Sequence, residues 1–129
     1  MIRRAAAAAV IILTFAVATP AEAHSTGRSR GGRQAGQVNG YPCGGSLPPC
    51  FVLMRESRGN PTAQNRRSTA SGKWQMVIRT SNTSARAIGR PDLVGRPART
   101  WTPTEQDAAA RWLWNLGGPG RGCRHWRAC

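Results

Sequence analysis

The chain has 129 residues and a formal net charge of +14 at neutral pH, from 19 basic and 5 acidic side chains. A chain this short leaves room for one small domain, at a size where a hydrophobic core alone is marginal and covalent cross-links are common. It contains no internal repeat and no glycine-rich phosphate loop, which argues against repeat folds and nucleotide-binding enzymes.

Residues 1–23 have the pattern of a secretory signal peptide. The sequence MIRR supplies positive charge, Ala5 to Val17 form an apolar stretch, and Ala21-Glu22-Ala23 is a small-x-small cleavage site. A membrane anchor is the alternative, but the apolar stretch is shorter than the roughly 20 residues that span a bilayer. We therefore predict export, cleavage after Ala23, no stable membrane anchor and a net charge of +13 after loss of Arg3, Arg4 and Glu22.

Residues 24–40 are rich in glycine and arginine and have almost no apolar side chains. Such a segment buries too little surface to offset the entropy of ordering the chain. We predict a flexible basic arm over residues 24–40 and a single folded domain over residues 41–129.

The four cysteines form two groups, Cys43 with Cys50 and Cys123 with Cys129. Six and five residues separate the members of each group, whereas zinc knuckles have two to four. We therefore predict two disulfides in an oxidising compartment and no metal. Three pairings exist, and we favour pairing across the groups because it would close the largest loops and join the two ends of the domain.

The stretch from Cys50 to Ser57 follows two prolines and predicts a helix, which Gly59 and Pro61 terminate. Glu56 falls in the last turn of this helix, where exposed carbonyls repel negative charge and apolar neighbours disfavour the ionised form. Both effects predict a raised pKa for Glu56.

Residues 60–72 are polar and predict a loop or short hairpin across the mouth of a cleft. Residues 74–80 predict a helix, and residues 84–88 predict a further short helical piece. The sequence Thr102-Pro-Thr-Glu105 is a capping box with proline at the first helical position, and it predicts a helix that continues to about Leu116.

The last predicted helix carries Ala109, Trp112, Leu113 and Leu116 at three-to-four spacing, which places Trp112 in the core and leaves Trp114 to line a groove. No long alternating segment indicates a large sheet. We predict an α+β domain that is mostly α, with at most a short β element, held by disulfides.

The stretch Arg55 to Pro61 reads RESRGNP and is followed by Ala63, Asn65, the tripeptide ASG and Gln75. This order resembles the E-S-x-x-N-P … G-x-x-Q signature of lytic transglycosylases, which have the lysozyme-like fold. It is most similar to the small secreted transglycosylase-like domains of high-GC Gram-positive bacteria, relatives of resuscitation-promoting factors. The resemblance extends from about Cys43 to Cys129 and implies a lysozyme-like domain.

The resemblance also implies a function. It implies cleavage of the β-1,4 bond between MurNAc and GlcNAc in peptidoglycan glycan strands, as a lytic transglycosylase or muramidase, with Glu56 as general acid and base and no cofactor. It places Gln75, Thr80, Gln106 and Trp74 in contact with glycan. The expected protein is a monomer that is secreted, extracellular or associated with the cell wall, where its charge would also attract anionic wall polymers.

The other acidic residues of the domain leave Glu56 without an obvious second carboxylate. Glu105 belongs to the capping box, Asp107 lies in the same first helical turn, and Asp92 lies in a Pro-Asp-Leu turn. A mechanism with one carboxylate is the simpler interpretation, and either anhydro-forming transglycosylation or hydrolysis is compatible with it.

The charge also supports a different class of function. A non-enzymatic basic secreted protein that binds nucleic acid or cell-wall polyanions is the main alternative, although no nucleic-acid recognition motif is present and no specific nucleic acid is expected. A third class is an inactive peptidoglycan-binding or signalling module, against which only the presence of Glu56 argues.

Overall fold

The computed structural model describes residues 35–118 and 121–129. The predicted signal peptide and most of the predicted arm lie outside the described residues. Within them the chain is mostly helical with a two-stranded antiparallel sheet, as the sequence predicts. The elements are β1 (Gly36–Val38), β2 (Tyr41–Cys43), α1 (Cys50–Ser57), α2 (Ile78–Ala87) and α3 (Pro103–Asn115), with short 3-10 helices at Pro91–Leu93, Ala98–Thr100 and Arg121–His125. None of the described helices is both long and apolar enough to cross a membrane.

The strand β1 lies inside the segment predicted as a flexible arm. It forms a hairpin with β2 in which Val38 pairs with Tyr41, and the side chain of Val38 is buried. Asn39 and Gly40 connect the strands with φ of 49° and 81°. An Asn-Gly turn with two left-handed residues matches the twist of a tight hairpin. This turn therefore places the start of the fold before Tyr41, the boundary predicted from composition.

The prediction of two disulfides is confirmed, but the favoured pairing across the groups is wrong. Cys43 is bonded to Cys50 and Cys123 to Cys129, with Cα–Cα distances of 4.9 and 5.5 Å. Two successive left-handed glycines, with φ of 75° and 63°, follow Cys43 and turn the chain back on itself. Loops this short constrain the unfolded chain less than long ones, and each disulfide should contribute about 2–3 kcal/mol.

Aromatic packing, rather than a disulfide, attaches the C-terminal segment to the domain. Trp126 is buried, and its ring centroid lies 6.4 Å from that of Trp74 and 6.2 Å from that of Trp114. Its indole N–H donates to the carbonyl of Trp74 at 2.9 Å. Trp114, predicted to line a groove, is thus a core residue, while Trp112 is only partly buried at the edge of the core.

Both predicted ends of α1 are confirmed. The helix begins directly after Pro49 and ends at Ser57, and the next residue, Arg58, has a left-handed φ of 56°. At Gly59, where φ is 80°, an added Cβ would lie 2.7 Å from the carbonyl oxygen of Val38. Only glycine fits this approach of the helix end to β1. The capping box of α3 is also present, with reciprocal hydrogen bonds between Thr102 and Glu105.

The helix predicted over residues 74–80 is wrong in its first half. Ser71 and Met76 exchange two backbone hydrogen bonds of 3.1 Å, which closes residues 71–76 into a turn. Gln75 within this turn has φ of 49°, outside the α-helical region. The helix α2 instead begins at Ile78 and includes most of the separate piece predicted over residues 84–88.

A buried ion pair attaches the 71–76 turn to α3. The ammonium group of Lys73 is fully buried and lies 2.8 Å from the carboxylate of Asp107. The indole N–H of Trp74 donates to the same carboxylate at 2.9 Å, and the Lys73 ammonium lies 4.6 Å from the ring centroid of Tyr41. Asp107, predicted only to favour the helix dipole, is therefore part of the core.

The disulfide pairing can be tested by peptide mapping. No arginine or lysine lies between Cys43 and Cys50, so an unreduced tryptic digest should keep both in one peptide with an internal disulfide. Arg124 and Arg127 separate the other two cysteines, which should appear as two short peptides joined by a disulfide. A peptide linking the two groups by mass spectrometry would contradict the structure.

The buried ion pair should contribute far more to stability than an exposed one. Asp107→Ala leaves the Lys73 ammonium buried without its partner, and we expect unfolding free energy to fall by about 3–5 kcal/mol. Asp92→Ala is the matched control, because its pair with Arg90 is exposed and should contribute little. Urea unfolding of both variants measures the difference, and equal losses would show that the buried pair is not essential.

Candidate active site

Glu56 lies on the wall of a cavity of about 560 Å³. The cavity is bordered by the end of α1, by a loop that includes Asn65 and Arg67, and by Gln75 at the end of the 71–76 turn. The C-terminal residues 125–127 complete the wall. Three parts of the chain, at residue 56, over residues 65–77 and over residues 125–127, therefore meet around one carboxyl group.

The position of Glu56 is fixed by its neighbour in sequence. The Ser57 hydroxyl donates to the carbonyl of Lys73 at 2.6 Å and accepts from the N–H of Gly59 at 3.1 Å. These two bonds attach the last turn of α1 to the 71–76 turn. One turn earlier on the same face of α1, Val52 and Leu53 are fully buried in the core. The helix cannot rotate about its axis without breaking both sets of contacts.

The loop on the cavity wall is organised by its own side chains, in agreement with the predicted polar loop. The Asn65 side chain accepts from the N–H of Arg67 at 2.8 Å, and the N–H of Asn65 donates to the carbonyl of Ala70 at 2.9 Å. The N–H of Gly72 donates to the carbonyl of Ala63 at 2.8 Å, which joins the loop to the 71–76 turn. This part of the wall is therefore formed without a ligand.

The C-terminal wall depends on Trp126 and on the Cys123–Cys129 disulfide. Trp126 is anchored in the core, and the disulfide closes a short loop that holds His125 and Arg127 at the cavity. Ala128, in the same loop, borders a smaller recess together with Glu56, and its backbone lowers the pKa of the Glu56 carboxyl group.

Glu56 differs from the other acidic residues of the described ranges because it belongs to no ion pair there. Asp92 and Glu105 both contact Arg90, and Asp107 contacts Lys73. Glu56 is partly buried, and burial raises its pKa above the ordinary value of 4.5, against the opposing effects of the Ala128 backbone and the charge of Arg55. The direction agrees with the prediction, and burial, one of the two predicted causes, is the largest.

His125 is the second titratable group on the cavity wall with a shifted pKa. Burial lowers its pKa below 6.5, and the positive charge of Arg124 lowers it further. At neutral pH the imidazole is therefore mostly uncharged, and it lies on the same cavity wall as Glu56, whose carboxyl group retains its proton to higher pH than usual.

The four residues predicted to contact glycan occupy different environments. Gln75 lines the cavity, and its amide donates to the carbonyl of Gly72 at 2.9 Å. Trp74 and Gln106 are fully buried, and Thr80 lies in α2, outside the cavity wall. Of the predicted set, only Gln75 stands beside Glu56.

Gln106 holds the core together around the site. Its side-chain oxygen accepts from the N–H of Lys73 at 2.7 Å, and its amide donates to the carbonyls of Pro61 and Trp101 at 3.0 and 3.1 Å. An added Cβ at Gly72 would lie 2.5 Å from the same oxygen. All polar atoms of this side chain are therefore occupied within the protein.

Sequence reasoning missed several cavity residues, namely Asn65 as a wall residue, Arg67, His125 and Arg127. The two arginines carry no distinguishing pattern in a chain with so many arginines. Within residues 35–118 and 121–129, no group of three or more His, Cys, Asp or Glu side chains is arranged to hold a metal ion.

The raised pKa of Glu56 predicts how stability depends on pH. A folded-state pKa above the unfolded value means that protonated Glu56 favours folding, and this contribution is lost as pH rises through the folded pKa. Glu56→Gln, which mimics the neutral acid, should match the wild type in acid and be equally or more stable at pH 7. Unfolding free energies at both pH values test this.

A carboxyl NMR titration of the wild type should in addition give a pKa for Glu56 above 4.5. A lower value, or a Glu56→Gln variant that is clearly less stable at pH 7, would show that Glu56 is an ion-pair partner rather than a desolvated acid.

No family model, no curated protein and no solved structure matches the chain. The residues themselves and the geometry of the cavity around Glu56 therefore carry any assignment of function.

Proposed function

We propose that the protein cleaves the β-1,4 glycosidic bond between MurNAc and GlcNAc in peptidoglycan, with Glu56 as the general acid and base. One observation carries this proposal: Glu56 is a partly buried carboxyl group with a raised pKa and no ion pair in the described part of the chain, on the wall of a polar cavity. The cavity volume of about 560 Å³ falls in the range of ordinary ligand sites.

In the first step, the Glu56 carboxyl transfers its proton to the oxygen of the leaving sugar as the bond from this oxygen to C1 breaks. An acid that stays protonated near neutral pH is suited to this transfer. In the second step, the Glu56 carboxylate takes a proton from the group that attacks C1. If this group is the 6-hydroxyl of the same sugar, the product is a 1,6-anhydro sugar; if it is water, the product is a reducing end.

Ordinary retaining and inverting glycosidases use a second carboxylate near the acid. In the described ranges, Asp92, Glu105 and Asp107 do not line the cavity and are occupied by Arg90 or Lys73. We therefore infer a mechanism with one carboxylate, in which the N-acetyl carbonyl or the 6-hydroxyl of the substrate supplies the internal nucleophile.

We also infer a lysozyme-like arrangement for the domain. Its support is a helix that carries Glu56 in its last turn, followed by a polar loop and turn over residues 60–76 that forms a wall of the cleft. The two disulfides fit an exported protein. A strongly basic domain would also be held electrostatically near the anionic polymers of a cell wall.

A basic polyanion-binding protein remains the second candidate function. Its support is the charge distribution, because Arg90 is the one arginine in an ion pair within residues 35–118 and 121–129. Several other arginines in these ranges, among them Arg66, Arg67 and Arg127, are exposed and can contact phosphate or carboxylate groups of a partner. Binding through such contacts would weaken steeply with added salt and would not require Glu56.

Substitution of Glu56 separates the two functions. Glu56→Gln keeps the size of the side chain but cannot donate a proton at the required strength, and we expect release of soluble fragments from cell-wall sacculi to fall by about 10²-fold or more. Asp92→Asn removes an acid outside the cavity and should retain wild-type activity.

Mass analysis of the released fragments identifies the second step. Anhydro-muropeptides indicate transglycosylation, whereas reducing ends indicate hydrolysis. No release by the wild type, together with salt-sensitive DNA binding that Glu56→Gln does not alter, would reject the enzyme in favour of the polyanion-binding protein.

A further inference from the structure

We propose that Arg67 and Arg127 form a carboxylate-binding subsite beside Glu56, which selects glycan strands bearing acidic substituents over neutral strands. This inference rests on the proposed glycan-cleaving function and assigns the feature of the substrate that the cavity recognises. The ligand is a carboxylate attached to the glycan, either on the lactyl group or on the stem peptide.

The two arginines reach the same cavity from separate segments. Arg67 belongs to the loop that precedes the 71–76 turn, and Arg127 belongs to the loop closed by the Cys123–Cys129 disulfide. Both segments are held independently, the first by the Asn65 side chain and the second by Trp126. The two positive charges therefore border one space without a ligand to bring them together.

Neither guanidinium group forms an ion pair within the described part of the protein. The ion pairs of these residues have only Arg90 and Lys73 as cations. The hydrogen bond of Arg67 to Asn65 comes from its backbone N–H, and both arginine side chains are exposed. A bound carboxylate would thus gain charge-assisted hydrogen bonds without breaking an existing pair.

The positive border continues past Glu56. A second recess of about 220 Å³ is lined by Arg55, Glu56, Arg127 and Ala128, so Arg127 borders both spaces. A substituent that projects from a sugar held at Glu56 would therefore meet a guanidinium group in either direction. Guanidinium groups bind carboxylates in a bidentate manner, which suits an acidic group in a fixed position on the glycan.

Selectivity also follows from the desolvation that a neutral strand would cause. It would cover the same two guanidinium groups and remove part of their water without supplying an acceptor of opposite charge. The site would then favour acidic strands by attraction and disfavour neutral strands by desolvation, the two elements of a specific interface.

The test compares Arg67→Gln and Arg127→Gln with two matched controls. Arg66→Gln removes the neighbouring charge of the same loop, and Arg121→Gln removes a charge from the C-terminal 3-10 helix; neither residue lines the cavity. Three probes are used: glycan strands with stem peptides, strands stripped by an amidase that keep the lactyl carboxylate, and neutral chitin oligosaccharides. The measurements are kcat/KM and, in the Glu56→Gln background, binding affinity.

We expect each cavity variant to lose about tenfold or more in kcat/KM and in affinity on at least one acidic probe, because a charge-assisted hydrogen bond is lost. Affinity for chitin should change by less than about twofold, and the controls should resemble the protein with both cavity arginines intact. Loss on peptide-bearing strands alone identifies the stem-peptide carboxylate, and loss on stripped strands alone identifies the lactyl carboxylate.

Equal losses on acidic and neutral probes, equal losses in the controls, or no loss would each overturn the subsite. If the wild type cleaves none of the probes, the proposed function fails, but the affinities still decide the inference. Arg127→Lys adds a further readout, because retention of the charge with loss of the bidentate geometry should restore only part of the preference.

Discussion

The ion pair of Lys73 with Asp107 is the interaction on which the geometry of the site depends. It fixes the 71–76 turn against α3, and this turn then receives the Ser57 hydroxyl from α1 and the Trp126 indole from the C-terminal segment. Burying two opposite charges is unfavourable unless the remaining polar groups are satisfied. Here the Trp74 indole N–H also donates to the Asp107 carboxylate, so both the ammonium group and the carboxylate have hydrogen-bond partners.

The elements that could be predicted from the sequence are those set by neighbours within a few residues. Proline before α1, glycine after it and the capping box of α3 define helix ends by local hydrogen bonding, and these were predicted correctly. The false helix over residues 74–80 arose because the paired backbone of Ser71 and Met76 depends on contacts that no periodicity encodes. The predicted disulfide pairing was wrong because it followed from loop entropy alone. The tight turn at the two glycines after Cys43, which brings Cys50 back to Cys43, was not predicted.

The candidate site was predictable in its acid but not in its surroundings. Glu56 follows from its place in a short helix, whereas Arg67 and Arg127 are 60 positions apart and meet only because Trp126 packs against the core. Trp74 and Gln106 illustrate the opposite error. They match positions expected to contact glycan, yet their polar atoms form hydrogen bonds within the protein. Residues that make a sequence resemble a family can therefore maintain the shape of a cleft without contacting a ligand in it.

The burial of Lys73 has a consequence for the chemical behaviour of the protein. It is the single lysine of the chain, and its ammonium group is enclosed. Reagents that acylate accessible amines should therefore react with the α-amino group and leave the folded domain unmodified. A fluorophore or a solid support attached in this way would be joined at one defined point, and unfolding would expose a second reactive amine. The extent of labelling would then report directly on the integrity of the core.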